Sequence, residues 1–150
     1  MSKTPSSGSK LIFVNLPVGD LARSTAFYEA IGAVKNEMFC DSTASCMVFS
    51  DTIHAMLLTH DKFRQFTPRK IANARETSEV LICLSAESRA AVDAVVDKAG
   101  RAGGRTDPSP KQDHGFMYGR SFEDPDGHIW EVVWMDVEAA AASRGATAAA

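Results

Sequence analysis

Two carboxylates, one arginine set among aromatic residues and four histidines are the side chains of this sequence best suited to chemistry on a small molecule. Glu131 stands in the run Ile129-Trp130-Glu131-Val132-Val133-Trp134. A carboxylate in an apolar cavity can act as an acid, a base or a lone ligand, with desolvation raising its pKa toward neutrality. The alternative is a structural carboxylate hydrogen-bonded to Asn15, Tyr118 or Arg120. Glu79 begins the run Glu79–Leu84, where solvent exposure is expected, and is the second candidate. Arg120 follows Phe116 and Tyr118 at two-residue spacing. Sharing a strand face with them, its guanidinium would grip a carboxylate or phosphate on a ligand. A salt bridge to Glu131, Asp124 or Glu123 is the bland reading, and the opposite parity, with Met117 and Ser121 inward, is also open. Among the histidines, His54 is expected on the helix side of its strand and His60 at a strand end. His114 is expected at a pocket rim and His128 in a hairpin. None has the H-x-x-x-H or H-E-x-x-H spacing that makes a zinc site specific.

These side chains need elements to hold them. Ile12, Val14, Leu16 and Val18 alternate with Leu11, Phe13, Asn15 and Pro17, the period of a strand. Asp20 suits a helix N-cap, Leu21, Phe27, Tyr28 and Ile31 share a helical face, and Gly32 ends the helix. Strands are expected around Ala33–Phe39, Ser45–Ser50 and Ile53–Thr59, the last two joined at Asp51-Thr52. The order then repeats: a strand over Glu79–Leu84, then a helix capped by Ser85 or Ser88 and carrying Ala91, Val92, Val95, Val96 and Ala99. Strands near Arg105–Asp107, Phe116–Phe122 and Ile129–Trp134 follow, the last two joined by the turn Asp124-Pro125-Asp126-Gly127. Each half reads β-α-β-β-β. The fold class is therefore α+β, with two βαβββ modules paired into one domain, the strands forming a curved half-barrel cup with helices outside. Module one covers about 11–60 and module two about 79–136, so the domain spans 11–136. The connector 61–78 is expected to hold a short helix over Arg69–Ala74 after Thr67-Pro68. Residues 1–10 read as a flexible tail and 137–150 as an alanine-rich one.

A net charge of -3 leaves no basic footprint for nucleic acid, so that class of partner is set aside. No apolar run approaches the roughly 20 residues of a membrane-spanning helix, and the polar start lacks a signal-peptide core. Cys40, Cys46 and Cys83 have no C-x-x-C spacing and read as buried free thiols of a cytoplasmic protein.

The stretch Phe13-Val14-Asn15-Leu16-Pro17-Val18-Gly19-Asp20-Leu21, followed by Ser24 and Phe27-Tyr28, resembles the opening of vicinal oxygen chelate proteins. This superfamily includes glyoxalase I, bleomycin-resistance proteins and extradiol dioxygenases. Asp124-Pro125-Asp126-Gly127-His128-Ile129-Trp130-Glu131 is similar to their closing hairpin and last strand, and the resemblance spans about residues 11–136. Ala44–Val48 and Gly115–Phe122 add likeness to a subgroup labelled predicted lactoylglutathione lyases. The resemblance implies a divalent metal held at four positions on the first and last strands of each module. Strand parity and the internal repeat place them at Phe13, Ala55, Glu79 and Glu131. Phe and Ala bind no cation, so the standard ligand set is incomplete and no cofactor is assigned; Glu131 and Glu79 are the only metal candidates. The resemblance also implies a homodimer, for which Phe63, Phe66 and Ile71 are candidate contacts.

Three functions follow. One is a small-molecule binder whose cup is lined by Phe13, Asn15, Leu57, Glu79, Leu81, Phe116, Tyr118, Arg120 and Val133. Another is metal-independent acid–base chemistry by Glu131 as the catalytic residue. The last is metal-dependent isomerisation of the lactoylglutathione lyase type, or dioxygenase activity, as the resemblance implies.

Overall fold

The computed structural model describes residues 8 and 10–148, with side chains described as far as residue 145. Most of the tail expected at 1–10 lies outside the described residues. The chain divides into two units, residues 1–71 and 72–150, each with its own sheet.

In the first unit, strand β1 (Ile12–Val18) leads to helix α1 (Leu21–Ala30). Asp20 caps α1 by accepting from the Arg23 N–H at 3.0 Å, and Gly32 leaves it with φ of 111°. Strand β2 (Val34–Lys35) is short because a 3-10 turn at Glu37–Phe39 breaks the expected longer strand, with Asn36 accepting from the Met38 N–H. Strands β3 (Ala44–Val48) and β4 (Ile53–Thr59) complete a sheet of order β1-β4-β3-β2, with β1 parallel to β4. Thr25 Oγ1 of α1 donates to Ser45 Oγ, so the face carrying Ser45, Leu57 and Leu16 is the one under the helix. The connector helix α2 runs over His60–Arg64, not Arg69–Ala74. Thr59 provides the cap by accepting from the Lys62 N–H, whereas Thr67 only closes a local turn to the Arg69 N–H.

In the second unit, β5 (Ile82–Ser85) is shorter than expected, and residues 79–81 precede it. Ser88, rather than Ser85, caps α3 (Arg89–Arg101), which buries Val92, Val96 and Ala99. Strands β6 (Arg105–Thr106), β7 (Gln112–Asp113), β8 (Met117–Glu123) and β9 (Ile129–Met135) follow. The sheet order is β5-β9-β8-β6, with β7 also pairing with β8 and β5 parallel to β9. The alanine-rich C-terminal stretch is helical, α4 (Val137–Ala148), capped by Asp136 accepting from the Ala139 N–H. The first unit carries the βαβββ order, the second carries it with the short β7 added, and the fold class is α+β.

The turn between β8 and β9 is buried and held from two sides. Asp124 Oδ1 accepts from the Asp126 and His128 N–H groups, both at 2.9 Å. The Arg75 guanidinium donates to the Pro125 carbonyl, bringing residues 73–77 over the turn. Gly127 adopts φ of 93°, and a Cβ there would lie 2.8 Å from Arg75 Cγ and 3.1 Å from Arg75 N. Both conformation and space therefore demand glycine. We expect Gly127→Ala to cost about 1–3 kcal/mol, read as a lowered urea midpoint; an unchanged midpoint would show that the turn has another conformation.

Candidate functional site

A sheet that packs one face on a helix offers the other to a ligand, and partners across the register share a face. In the first unit the open face carries the cross-strand rows Phe13–His54–Val48 and Asn15–Met56–Cys46. The rings of Phe13 and His54 stack with centroids 4.5 Å apart and planes 18° from parallel, and His54 Nδ1 lies 3.2 Å from the Ile12 carbonyl oxygen. Ala55 and Leu57 are instead fully buried on the face under α1. This corrects two expectations. Leu57 belongs to the helix-facing core rather than to a cup, and His54, not Ala55, is the partner of Phe13. The strand Ile53-His54-Ala55-Met56-Leu57-Leu58-Thr59 has too little polar alternation to betray its parity, and the internal repeat is displaced here by one residue.

In the second unit the open face carries the rows Cys83–Glu131–Ser121 and Ser85–Val133–Gly119. Gly119 lets Val133 pack close to the β8 backbone; a Cβ there would stand only 3.2 Å from Val133 Cγ2. Ser121 Oγ accepts from the Ser109 N–H at 3.4 Å. Glu131 is half-buried, and its carboxylate is engaged by neither Tyr118 nor Arg120. Partial desolvation and then the charge of Glu131 push the Cys83 thiol above its ordinary pKa, a sign of how close the two side chains stand. Cys83 is exposed, against the expectation of a buried thiol, while Cys46 is buried as expected. Glu79 is exposed and lies before β5, outside any strand. Leu81 is exposed as well, immediately before β5. Seven residues ahead of the N-caps Asp20 and Ser88 stand Phe13 and Leu81, so Leu81 rather than Glu79 is the counterpart of Phe13.

Tyr118 and Arg120 share a face, as their spacing predicts, but it is the face under α3, opposite to that of Glu131. Tyr118 Oη donates to Asp93 Oδ1 at 2.7 Å. Arg120, with a side chain 7% exposed, donates Nε and Nη2 to the two oxygens of Asp107 at 3.0 and 2.7 Å. Its Nη1 reaches Asp93 at 2.9 Å and Asp97 at 3.2 Å. Asp107 supplies its carboxylate from a left-handed backbone, φ 49°. A guanidinium surrounded by carboxylates is committed to the fold and does not grip a ligand, and its partners are none of Glu131, Asp124 or Glu123. Asp93 and Asp97, four apart on α3 and flanked by Val92 and Val96, were the sequence signal for this anchor. Nearby, Arg89 at the start of α3 makes a bidentate pair with Asp113, both bonds 2.9 Å, and lies over the rings of Tyr118 and Trp134. His114 stacks loosely on Phe116 at the end of that loop, 6.3 Å between centroids.

The donor set bears on a metal. One imidazole on the first sheet, and one carboxylate beside a thiol on the second, fall short of the several nitrogen and carboxylate ligands that zinc or nickel requires. Among the described residues no group of three or more His, Cys, Asp or Glu side chains is placed to hold an ion. The residues present do not fit the superfamily's standard metal site.

A model of the Glyoxalase/Bleomycin resistance protein/Dioxygenase superfamily matches residues 10–132. The chain belongs to this superfamily. Among solved structures, hypothetical protein SA1046 from S. aureus is 28% identical, with TM-score 0.70, over 82% of this chain and 92% of that one. A superfamily enzyme from Burkholderia phytofirmans PsJN is 18% identical, with TM-score 0.68, over 85% of this chain and 99% of its own. The fosfomycin resistance protein FosX from Mesorhizobium loti is 20% identical, with TM-score 0.61, over 85% and 93% respectively. The last two show likeness of fold alone. No curated protein matches this sequence.

The anchors make stability depend on acid. Hydrogen bonds and charge from Arg120 hold Asp107 below the ordinary carboxylate range, Tyr118 and Arg120 do so for Asp93, and Arg89 brings Asp113 down to about 2. Depressed carboxylates contribute stability that is full above the unfolded pKa of 3.8 and lost as pH falls through the folded value, for Asp113 near 2. We expect urea midpoints to drop steadily between about pH 4 and pH 2. Arg120→Met should lower stability at neutral pH by about 2 kcal/mol, since its partners keep access to water, and should flatten the acid slope. An unchanged slope in that variant would contradict the assignment.

Proposed function

We propose that this protein binds a small organic molecule on the open face of its second sheet, with Glu131 as the polar anchor. The observation that carries the reading is a half-buried carboxylate on the open face, with Arg120 and Tyr118 committed to carboxylates on the opposite one. Around it Val133 offers apolar contact, while Cys83 and Ser121 add small polar groups. A carboxylate accepts hydrogen bonds, so the matching ligand presents an N–H or O–H donor, or a cation, beside an apolar body. The same carboxylate can take a proton from a bound ligand, which is the form metal-independent chemistry would take here. Phe13, with its ring stacked on His54, presents a second apolar surface on the open face of the first sheet. A lactoylglutathione lyase or dioxygenase reaction through a metal asks for ligands that the donor set does not supply, and we derive no step through one. The reading includes a cytoplasmic homodimer, with Phe63, Phe66 and Ile71 in contact; the Phe66 ring is exposed, with Lys62 over it at 5.6 Å.

A thermal-shift panel of aromatic amines, their neutral isosteres, bleomycin and fosfomycin tests this proposal. A ligand present at a hundred times its Kd stabilises by about 2.7 kcal/mol, which raises Tm by roughly 5–10 °C in a chain of this size. We expect an amine-bearing compound to do so and its neutral isostere not to. Glu131→Gln should keep the fold and lose the shift. A shift that survives Glu131→Gln would place the ligand elsewhere.

A further inference from the structure

Cys40 and Cys46 lie on either side of the short segment that enters β3, and the fold brings the Cys40 sulfur to the Cys46 backbone. The Cys46 N–H donates to Cys40 Sγ at 3.3 Å, so the Cys40 sulfur stands against the residue that bears the second thiol. Cys40 Sγ is also 3.0 Å from the Asn36 carbonyl oxygen. Between the two cysteines, Asp41 holds a tight turn by accepting from both the N–H and the hydroxyl of Thr43 at 2.7 Å, and the Asp41 N–H donates to the Ala44 carbonyl. This turn brings the chain back on itself, so the two cysteines are neighbours by backbone geometry. Their environments differ: Cys40 is partly exposed and Cys46 is buried. Burial, and then the nearness of Cys40, push the Cys46 thiol up.

We propose that Cys40 and Cys46 are a peroxide-sensitive pair that closes to an intramolecular disulfide. The exposed partner reacts first: the Cys40 thiolate attacks one peroxide oxygen, the O–O bond breaks, hydroxide leaves, and Cys40 becomes a sulfenic acid. The Cys46 thiolate then attacks the Cys40 sulfur and displaces its hydroxyl as hydroxide, forming the S–S bond. Each sulfur loses one electron, the peroxide gains two, and the two thiol protons and two hydroxides end as two waters. Because Cys46 reacts as the thiolate and its thiol is held protonated, the second step quickens as pH rises. Asp41, Ser42 and Ser45, which lie between the pair, line one wall of a cavity of about 480 Å³ whose opposite wall is α1, so closure fixes that wall.

Peptide mapping of the full chain after hydrogen peroxide, in a Cys83→Ser background that removes the exposed third thiol, decides the matter. The expected product has lost two hydrogens, yields one linked peptide joining residues 40 and 46, and reverts with dithiothreitol. Cys46→Ser should stop at a sulfenic acid on Cys40 that dimedone labels, and Cys40→Ser should stay unmodified at Cys46. Oxygen addition at Cys40 without the two-hydrogen loss, no reaction at either cysteine, or links only between chains would overturn the proposal. The parent protein's peptide map alone suffices should a variant fail to fold.

Discussion

Arg120 lies beneath α3 with its guanidinium shared among Asp93, Asp97 and Asp107, and much of the second unit follows from that anchor. An arginine with so little exposure cannot turn to solvent without leaving three carboxylates crowded, so β8 has one permitted orientation. Its register with β9 then places Tyr118, Phe122, Trp130 and Val132 in the core, where the rings of Phe122 and Trp130 lie nearly parallel. The same register leaves Ser121, Glu131, Gly119 and Val133 on the other side. Slipping the pairing by one residue would bury Glu131 against α3 and expose Trp130, which the anchor forbids. An ion-pair cluster is a modest source of net stability; here its main effect is to fix which face is offered to a ligand.

The two units share a plan and differ in chemistry. On the first open face an aromatic ring and an imidazole stack, beside a thioether and a buried thiol. On the second a carboxylate stands between a thiol and a hydroxyl. Neither open face brings together the several nitrogen and carboxylate donors that a zinc or nickel site requires.

The order of elements was legible in the sequence because alternation in β1 and β9, the Asp20 and Ser88 caps and the Asp-Pro-Asp-Gly turn are local signals. The face of each strand was less so. Phe13, Asn15, Glu131 and Val133 followed from clear alternation around them. In β4 nearly every residue is apolar, so Ala55 and His54 were exchanged. Tyr118 and Arg120 do share a face, but the one opposite to that expected, because the carboxylates that hold Arg120 come from α3 and from the loop at Asp107. The four-residue spacing of Asp93 and Asp97 shows that they share a helix face, but not which distant cation they meet. The connector helix moved to His60–Arg64 because Thr59 offers a cap directly at the end of β4, ahead of Thr67.

We propose that Glu131, on the open face of the second sheet, is the group a ligand meets. Carboxyl-carbon NMR on protein labelled in glutamate and aspartate side chains follows that group directly as the strongest thermal-shift compound is added. The account predicts that the Glu131 resonance moves saturably with ligand while those of Asp93, Asp97 and Asp107 stay in place. A Glu131 signal that does not respond, with shifts at the Arg120 cluster instead, would contradict it.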